Sequence, residues 1–308
     1  MSSTLKNSSY NQEGKIGDAL QLPLSKWKFW VLQPSRYFFR QRVVTIIGEL
    51  LVLVMVFIGI FGPMIAPYDP SNVVMTQRLQ PPSGDHILGT DELGRDLLSR
   101  LLHGGRATMS SMVFVLVFVM ALGIPAGAIA GFFEGWIDEV LMRVSDLVLA
   151  FPPLVLAMAL VISLGPDLLT AMLAVALVRW PRYARLIRGQ VLTYKQRAFV
   201  EAAHASGASD LRILVRHIIP NCLDPVLVRA TMDSGFIILT IASLSFIGLG
   251  AQPPQAEWGA MVASGRLYMI DNWWVGFFPG LAIMLAVTGF VLIGDEIRDR
   301  LDPVLRNR

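Results

Sequence analysis

Residues Tyr194 to Asn221 read YKQRAFVEAAHASGASDLRILVRHIIPN, a polar stretch within an otherwise strongly apolar chain. Two helical patterns follow one another in it. The first predicts a short helix with one nearly bare face, which leaves little to obstruct a partner. That face comprises Phe199, Ala202, Ala203 and Ser206. Gly207 is predicted to end this helix, as glycine commonly does at a helix C-terminus.

The second pattern predicts another short helix directly after Gly207. Ser209 is placed to cap its N-terminus, and Asp210 lies at its positive end. Pro220 is expected to stop it, because proline lacks the N–H that a helix interior needs. The apolar stripe of this helix is predicted to comprise Leu211, Leu214, Val215 and Ile218. We therefore expect residues 194–221 to form a helix-turn-helix.

The composition of the whole chain indicates a membrane protein. Its 308 residues are 54% hydrophobic and only 16% charged, whereas soluble domains have about 25% charged residues. The single cysteine, Cys222, and four scattered histidines argue against a disulfide framework or a metal site. Nucleic acid is not an expected partner, because the basic residues flank apolar runs and do not form a basic and aromatic surface.

Six windows free of Asp, Glu, Lys and Arg predict an all-α, polytopic membrane protein with six transmembrane helices, since about 20 apolar residues cross a bilayer core. The fourth window is short, but it continues into RWPRYARLIR, whose arginines can snorkel to a membrane face. The fifth is expected to begin near Pro225 and to include Arg229 and Asp233. The windows are Leu50 to Tyr68, Ala107 to Phe133, Leu147 to Pro166, Leu168 to Val178, Ser234 to Ala256, and Asn272 to Gly294.

The basic residues also predict the orientation of the spans. Twenty of the 26 Lys and Arg residues fall in the two terminal segments, the connection between the second and third spans, and residues 179–221. The positive-inside rule therefore places both termini and the 194–221 loop in the cytoplasm. The expected divisions are a cytoplasmic tail with an interfacial helix (1–42), a first span (43–68), a periplasmic segment (69–105), a five-span domain (106–296) and a cytoplasmic tail (297–308).

Small residues and prolines inside the windows predict how the spans pack. In the second span Gly123, Gly127 and Gly131 recur every four residues, a spacing that lets helix backbones approach closely. Prolines at 125, 152 and 153 free backbone carbonyls inside spans. Such carbonyls mark either a pathway lined by protein and water or a passive kink.

The 194–221 stretch resembles the EAA loop of binding-protein-dependent ABC importer permeases. The matching residues are Glu201, Ala202, Ala203, Gly207, Ile219 and Pro220; His217 stands where the family has isoleucine, and RHIIPN resembles its RHILPN variant. The resemblance implies a MetI-like, type I ABC importer fold, in which residues 201–207 form a coupling helix that seats in a separate ATPase subunit. No cofactor is expected on this chain, which has no GxxxxGK[ST] loop, so that ATP and Mg would bind the partner ATPase.

A second stretch, LGTDELGRDLLSRLLHGGR from Leu88, resembles the signature of the C-type subunit in dipeptide and oligopeptide permeases. The matching residues are Gly89, Thr90, Asp91, Gly94, Arg95, Asp96, Ser99 and Arg100. Taken alone, the pattern predicts a turn and an amphipathic lead-in to the second span, with an ion pair between Asp96 and Arg100. Docking of the binding protein or of a partner permease is a hypothesis for this segment.

Ionisable residues within spans are candidates for the translocation pathway, because burying a charge in a membrane is costly. They are Asp146, Arg229 and Asp233. Arg229 and Asp233 lie one turn apart, so one interpretation is that they only neutralise each other. The other is that they meet the charged ends of a short peptide in a water-filled cavity.

The resemblance implies a permease subunit of an ATP-driven importer of small peptides in the bacterial inner membrane. The implied partners are a homologous B-type permease, one or two ATPase subunits and a periplasmic substrate-binding protein. Glutathione, nickel chelates and sugars are alternative cargoes, although residues 164–190 resemble D-alanyl-D-alanine dipeptide permeases. A secondary transporter or channel would not need the EAA loop. A membrane enzyme is disfavoured because neither HExxH nor GxSxG occurs.

Overall fold

The computed structural model describes the backbone of residues 24–301 and the side chains of residues 43–299. Two units divide the chain, Met1–Ile46 and Ile47–Arg308. In the first unit the described residues are helical from Leu24 onward. The tails predicted before residue 24 and after residue 301 lie outside the described residues, and all sites discussed below belong to the second unit.

Helices are the main secondary structure of the described residues, which also contain one isolated β-bridge, between Thr90 and Asp96. The ten α-helices are α1 (Leu24–Ile65), α2 (Leu97–Phe133), α3 (Gly135–Leu149), α4 (Pro153–Leu164), α5 (Leu168–Lys195), α6 (Ala198–Ala205), α7 (Asp210–Ile213), α8 (Leu223–Phe246), α9 (Trp258–Gly265) and α10 (Trp274–Leu301). This confirms the all-α fold class.

Four stretches of the described chain are long and apolar enough to cross a membrane: Val43–Ile65, Leu97–Phe133, Asp210–Phe246 and Trp274–Asp299. A fifth arises if the bent pair α3 and α4 forms one span. Helix α5, which holds the predicted fourth span, is 28 residues long but is interrupted by four arginines and ends in a lysine. The six-helix prediction is compatible with this architecture.

The predicted third span, 147–166, contains a sharp bend at its prolines. Helices α3 and α4 meet at an angle of 91°, with Pro152 as the N-cap of α4 and Pro153 as its first residue. Proline removes a helical hydrogen bond and disfavours helical backbone in the residue before it. Two adjacent prolines therefore break the helix, whereas the single Pro125 stays inside the continuous helix α2.

Two other predicted boundaries move. Helix α2 begins at Leu97, ten residues before the predicted second window, because Asp96 caps its N-terminus through the backbone N–H of Ser99. Helix α8 begins at Leu223, close to the expected start near Pro225, but ends at Phe246, ten residues before the predicted end. Residues 247–256 contain two glycines and the Pro253–Pro254 pair, which end the helix although no charged residue interrupts the window.

The close approach predicted from the glycines of α2 is confirmed. A Cβ atom on Gly123 would lie 2.6 Å from the Cβ of Tyr183 on α5. On Gly127 it would lie 2.1 Å from the carbonyl oxygen of Ala184. Side chains larger than hydrogen would push α2 and α5 apart, so glycine sets the distance between these two helices.

Candidate functional site

The 194–221 loop begins with helix α6 and a sharp turn at Gly207. Gly207 has a φ of +79°, a left-handed conformation that glycine adopts without strain. Its N–H donates to the carbonyl of His204 at 2.9 Å, and the N–H of Ala208 donates to that of Ala203 at 3.1 Å. These two bonds form a Schellman motif, so the predicted helix end at Gly207 is confirmed.

Helix α6 presents most of its surface outward. Val200 is its buried residue, and Ala203 packs against the core while half-buried. Glu201, Ala202 and Gly207 are exposed. No heavy atom lies within 4 Å of the position that a Cβ on Gly207 would take. The predicted bare face is therefore open and lies next to a rigid turn.

The second helix of the loop differs from the prediction. Helix α7 has four residues, a π-helical turn follows over Leu214–Ile218, and a 3₁₀ turn over Ile219–Cys222 leads directly into α8. Ser209 makes no side-chain capping bond, and Pro220 lies inside the 3₁₀ turn and does not end the segment. Prolines are tolerated at the first positions of a helical turn, where no N–H partner is needed.

The π turn also changes which residues are buried. Leu211 and Val215, predicted for the apolar stripe, are 66% and 55% exposed, whereas Ile213 is fully buried beside Leu214 and Ile218. A π turn has more residues per turn than an α-helix and so rotates the face that points inward. His217 and Ile219 are half-buried and Pro220 is exposed. The loop thus adds exposed Leu211 and Val215 to the surface around α6.

The segment between α1 and α2 contains a buried polar network built from the second motif. The Asp91 carboxylate lies 2.7 Å from Nε of Arg95 and 3.2 Å from Nε of Arg100. Asp96 accepts from the N–H and the hydroxyl of Ser99, each at 2.7 Å, and its other oxygen lies 2.9 Å from Nδ1 of His86. The predicted ion pair between Asp96 and Arg100 is wrong, because Asp96 acts as the helix cap and Arg100 instead joins Asp91.

The glycines of this motif allow tight turns that no other residue fits. Gly89 and Gly94 have φ values of +80° and +72°. A Cβ on Gly94 would lie 1.9 Å from the carbonyl oxygen of Val74. The neighbouring Thr90 is fully buried, and its carbonyl accepts a bond of 3.3 Å from the indole of Trp274 on α10. The motif brings its predicted residues together, but it holds them inside the chain.

A third cluster lies between α5 and α8. Asp233 is buried, with Nε of Arg229 at 3.1 Å and Nη1 of Arg179 at 3.5 Å from its two oxygens. Nη2 of Arg179 also donates to the hydroxyl of Thr240 at 3.2 Å. The pairing of Arg229 with Asp233 was expected from sequence, but Arg179 was missed. Its signal was present, since arginine recurs at positions 179, 182, 185 and 188 of α5.

Asp146 does not join this cluster. It lies on α3, half-exposed, and pairs with Arg185. Asp138 accepts two bonds from Arg188, at 2.6 and 2.5 Å, and Glu134 lies 2.9 Å from Lys195. The hydrogen bonds with Asp138 raise the pKa of Arg188, so Arg188 stays charged at physiological pH. Asp146 therefore belongs to a row of ion pairs that joins α3 to α5.

Comparison with known families assigns the chain that carries these sites. A family described as "Binding-protein-dependent transport system inner membrane component" matches residues 123–307. The chain belongs to this family. A second family, "N-terminal TM domain of oligopeptide transport permease C", matches residues 33–82 of the permease. The two matches together cover the loop, the α5–α8 cluster and the chain that leads into the second motif.

Curated relatives resemble the permease over most of its length. It is 47% identical over 259 residues to the "Probable D,D-dipeptide transport system permease protein DdpC" of Escherichia coli (strain K12), covering 84% of this chain and 87% of that protein. It is 44% identical to the di/tripeptide permease protein DppC of Pseudomonas aeruginosa (84% and 88% covered). It is also 42% identical to the glutathione permease protein GsiD of Pectobacterium atrosepticum (91% and 92% covered).

Solved structures share the fold of the permease. The inward-facing methionine ABC transporter MetNI, in its native crystal form, matches with a TM-score of 0.53 and 17% identity, covering 66% of this chain and 96% of that chain. The fold is therefore the MetI-like fold of ABC importer permeases, as the EAA resemblance implied.

Proposed function

We propose that this permease moves small peptides inward across the bacterial inner membrane and is driven by separate ATPase subunits that hold helix α6. The observation that carries the proposal is the exposed, Ala-rich α6, ended by a tight turn at Gly207 and joined to α5 through residues 196–197 and to α8 through residues 206–222. Because α6 has few large side chains, a groove in a partner can enclose it closely. A force applied to α6 would pass through residues 196–197 into α5 and through residues 206–222 into α8.

The energetics of coupling require a rigid handle. An ATPase dimer changes the permease only through a difference in its affinity for the inward-open and outward-open states. Reversing a population from 1:99 to 99:1 takes about 5.5 kcal/mol. The two Schellman bonds at Gly207 and the buried Val200 hold α6 in one orientation, which supports its role as the element that transmits this energy.

The cargo and partners follow from the relatives. Among the relatives named above, two are named for di- or tripeptides and one for glutathione, which is itself a small peptide. We assign small peptides as the cargo class, delivered by a periplasmic binding protein to a pair formed with a homologous B-type permease. ATP and Mg are bound by one or two partner ATPase subunits. Both termini and α6 face the cytoplasm, as the distribution of basic residues favours.

The decisive experiment compares two glycine substitutions in the reconstituted importer. Gly207→Asp places a bulky, charged and conformationally strained residue into the turn beside α6, so we expect substrate-stimulated ATPase activity to be lost while membrane insertion persists. Gly165→Asp is the matched control, because Gly165 also has a positive φ, of +102°, and no atom within 4 Å of its Cβ position, but it precedes α5. Equal stimulation in both variants would contradict the coupling role of α6.

A second measurement separates an importer from a secondary transporter. Proteoliposomes that contain the permease, its partners and a binding protein loaded with labelled Ala-Ala should accumulate the peptide only with ATP. Uptake by the permease alone, driven by an ion gradient, would refute the proposal. Competition by glutathione but not by Ala-Ala would move the cargo assignment within the same family.

A further inference from the structure

Four arginines follow one another at three-residue steps along α5, and they are not equivalent. Arg179 pairs with Asp233, Arg185 with Asp146, and Arg188 with Asp138. Arg182 is exposed and has no ion pair or hydrogen bond with any residue in the described part of the chain. It is the one arginine of this series without a carboxylate.

Arg182 adds positive charge to a cluster that is already short of negative charge. It follows Arg179 by three residues on α5, so the two side chains are neighbours on the helix surface. Among the described residues, Asp233 is the carboxylate that pairs with Arg179 and Arg229, each of which lies against one of its oxygens. The three arginines therefore outnumber this carboxylate, and together the four residues carry a net positive charge.

Arg229 lies in an apolar part of the chain. It belongs to the stretch Asp210–Phe246, which is long and apolar enough to cross a membrane. The Arg229 side chain is 40% exposed, and Thr240, which binds Arg179, is partly exposed on the same helix. An exposed cation within such a stretch needs water or a counter-ion, because hydrocarbon solvates a charge poorly. An aqueous cavity beside this part of α8 would supply that water.

We propose that Arg179, Arg182 and Arg229 form an anion site in the translocation cavity that takes the carboxylate end of the passing peptide. The inference rests on the proposed peptide transport and sharpens it. Arg182 and the exposed edge of Arg229 meet the carboxylate, whereas Asp233 is a positioning residue that holds Arg179 and Arg229 in place. Guanidinium groups suit this task because they bind a carboxylate through paired N–H donors and stay charged. The buried Asp233 is not available to the ammonium end.

The test measures the local charge through a cysteine placed at the site. In a Cys222→Ser background, Thr240→Cys puts a thiol where Arg179 now binds a hydroxyl. The rates at which this thiol reacts with an anionic reagent, sulfonatoethyl methanethiosulfonate, and with a cationic one, trimethylammonioethyl methanethiosulfonate, are each divided by the rate for a free thiol. The quantity compared is the ratio of the anionic to the cationic value. We expect the anionic reagent to be favoured roughly ten-fold, because a positive cavity concentrates anions. Ser163→Cys on α4 is the control, since Ser163 also bonds its own helix backbone, and a ratio near one is expected there.

Two variants of Arg182 test whether its charge causes the preference for the anionic reagent at position 240. Arg182→Gln should lower it at least about three-fold, and Arg182→Lys should preserve it. Arg182 is exposed and unpaired among described residues, so neither variant is expected to disturb folding, which elution as a monodisperse complex would verify. A ratio near one at position 240, no reaction with either reagent, or no change on Arg182→Gln would overturn the anion site.

The last arm tests the ligand. Ala-Ala added to the nucleotide-free complex should slow modification at position 240, whereas the same dipeptide with an amidated C-terminus should not. Equal protection by both peptides would overturn recognition of the carboxylate. The proposed function is judged separately by ATP-driven uptake of Ala-Ala in the same preparation. An intact charge ratio without uptake refutes only the transport proposal, and normal uptake without a charge preference refutes only the anion site.

Discussion

Single residues decide the stability of this permease where charges are buried. Asp233 is buried and pairs with two arginines between α5 and α8, so its removal leaves the buried Arg179 without a counter-ion. Asp146 makes one ion pair at a half-exposed position, where water solvates either partner when the other is lost. The same residue type therefore has different consequences on the two helices.

We predict that Asp233→Asn destabilises the permease by about 3–5 kcal/mol, the usual cost of breaking a buried pair by removing one partner. Asp146→Asn should change the stability by less than about 1 kcal/mol. Thermal unfolding of the two variants in the same detergent measures the difference. Similar melting temperatures for both would show that Asp233 is well hydrated in the assembled protein.

Gly94 provides a second test at the scale of one residue. Gly94→Ala adds a Cβ 1.9 Å from a backbone oxygen at a positive φ, which should displace the polar network around Asp91 and lower the melting temperature. Gly84→Ala is the control in the same segment, since no atom lies within 4 Å of its Cβ position. Faster cleavage by an added protease between α1 and α2 is expected for Gly94→Ala only.

At the scale of the elements, the contact between α2 and α5 depends on missing side chains. The Gly127 position touches the backbone of Ala184 so closely that even a methyl group has no room. Three other residues of α5 form ion pairs with acidic residues on or next to α3. Arg185 pairs with Asp146, Arg188 with Asp138, and Lys195 with Glu134. Helix α5 is therefore held by close packing on one side and by ion pairs on another.

We expect Gly127→Ala to destabilise the permease by about 1–3 kcal/mol, as overpacking in a well-packed core does. Gly189→Ala lies on α5 with no atom within 4 Å of its Cβ position, so it should be neutral or stabilising, because alanine favours helix over glycine. Helix content and melting temperature by circular dichroism distinguish the two. A neutral Gly127→Ala would mean that α2 and α5 separate easily.

At the scale of the whole molecule, the orientation in the membrane decides whether the proposed ATPase can reach the 194–221 loop. Residues 194–221 lie between α5 and α8, and the polar network lies between α1 and α2. The charge distribution favours the cytoplasm for the former and the periplasm for the latter. The proposed function requires this arrangement, because the proposed ATPase must reach α6 from the cytoplasm.

Cysteine labelling tests that orientation. In a Cys222→Ser background, Ser209→Cys should react with a membrane-impermeant maleimide only in inside-out vesicles, and Ser83→Cys only in intact spheroplasts. Both positions are exposed, so access across the membrane, and not burial, decides the result. The opposite labelling pattern would refute the cytoplasmic location of α6.

Hydropathy predicted the long apolar helices, whereas the amphipathic α3 and the short α9 were not predicted. The turn at Gly207 and the close contact at Gly127 were predictable, because glycine has a specific use in each place. The π turn after α7 was not, since a shift of the hydrogen bonds by one residue leaves no mark in composition. The role of Asp96 was also misjudged, because one carboxylate can cap a helix or pair with an arginine one turn away.

By itself, the sequence determined that this protein is an all-helical membrane permease of the ABC importer type, because hydropathy, basic residues and the EAA motif are local properties of the chain. Tertiary structure alone decided that Arg179 joins Asp233, that Asp146 belongs to a different row, and that Arg182 has no carboxylate in the described chain. The physical reason is that an ion pair depends on which helix faces arrive within about 4 Å of each other. That distance is set by packing over residues far apart in sequence.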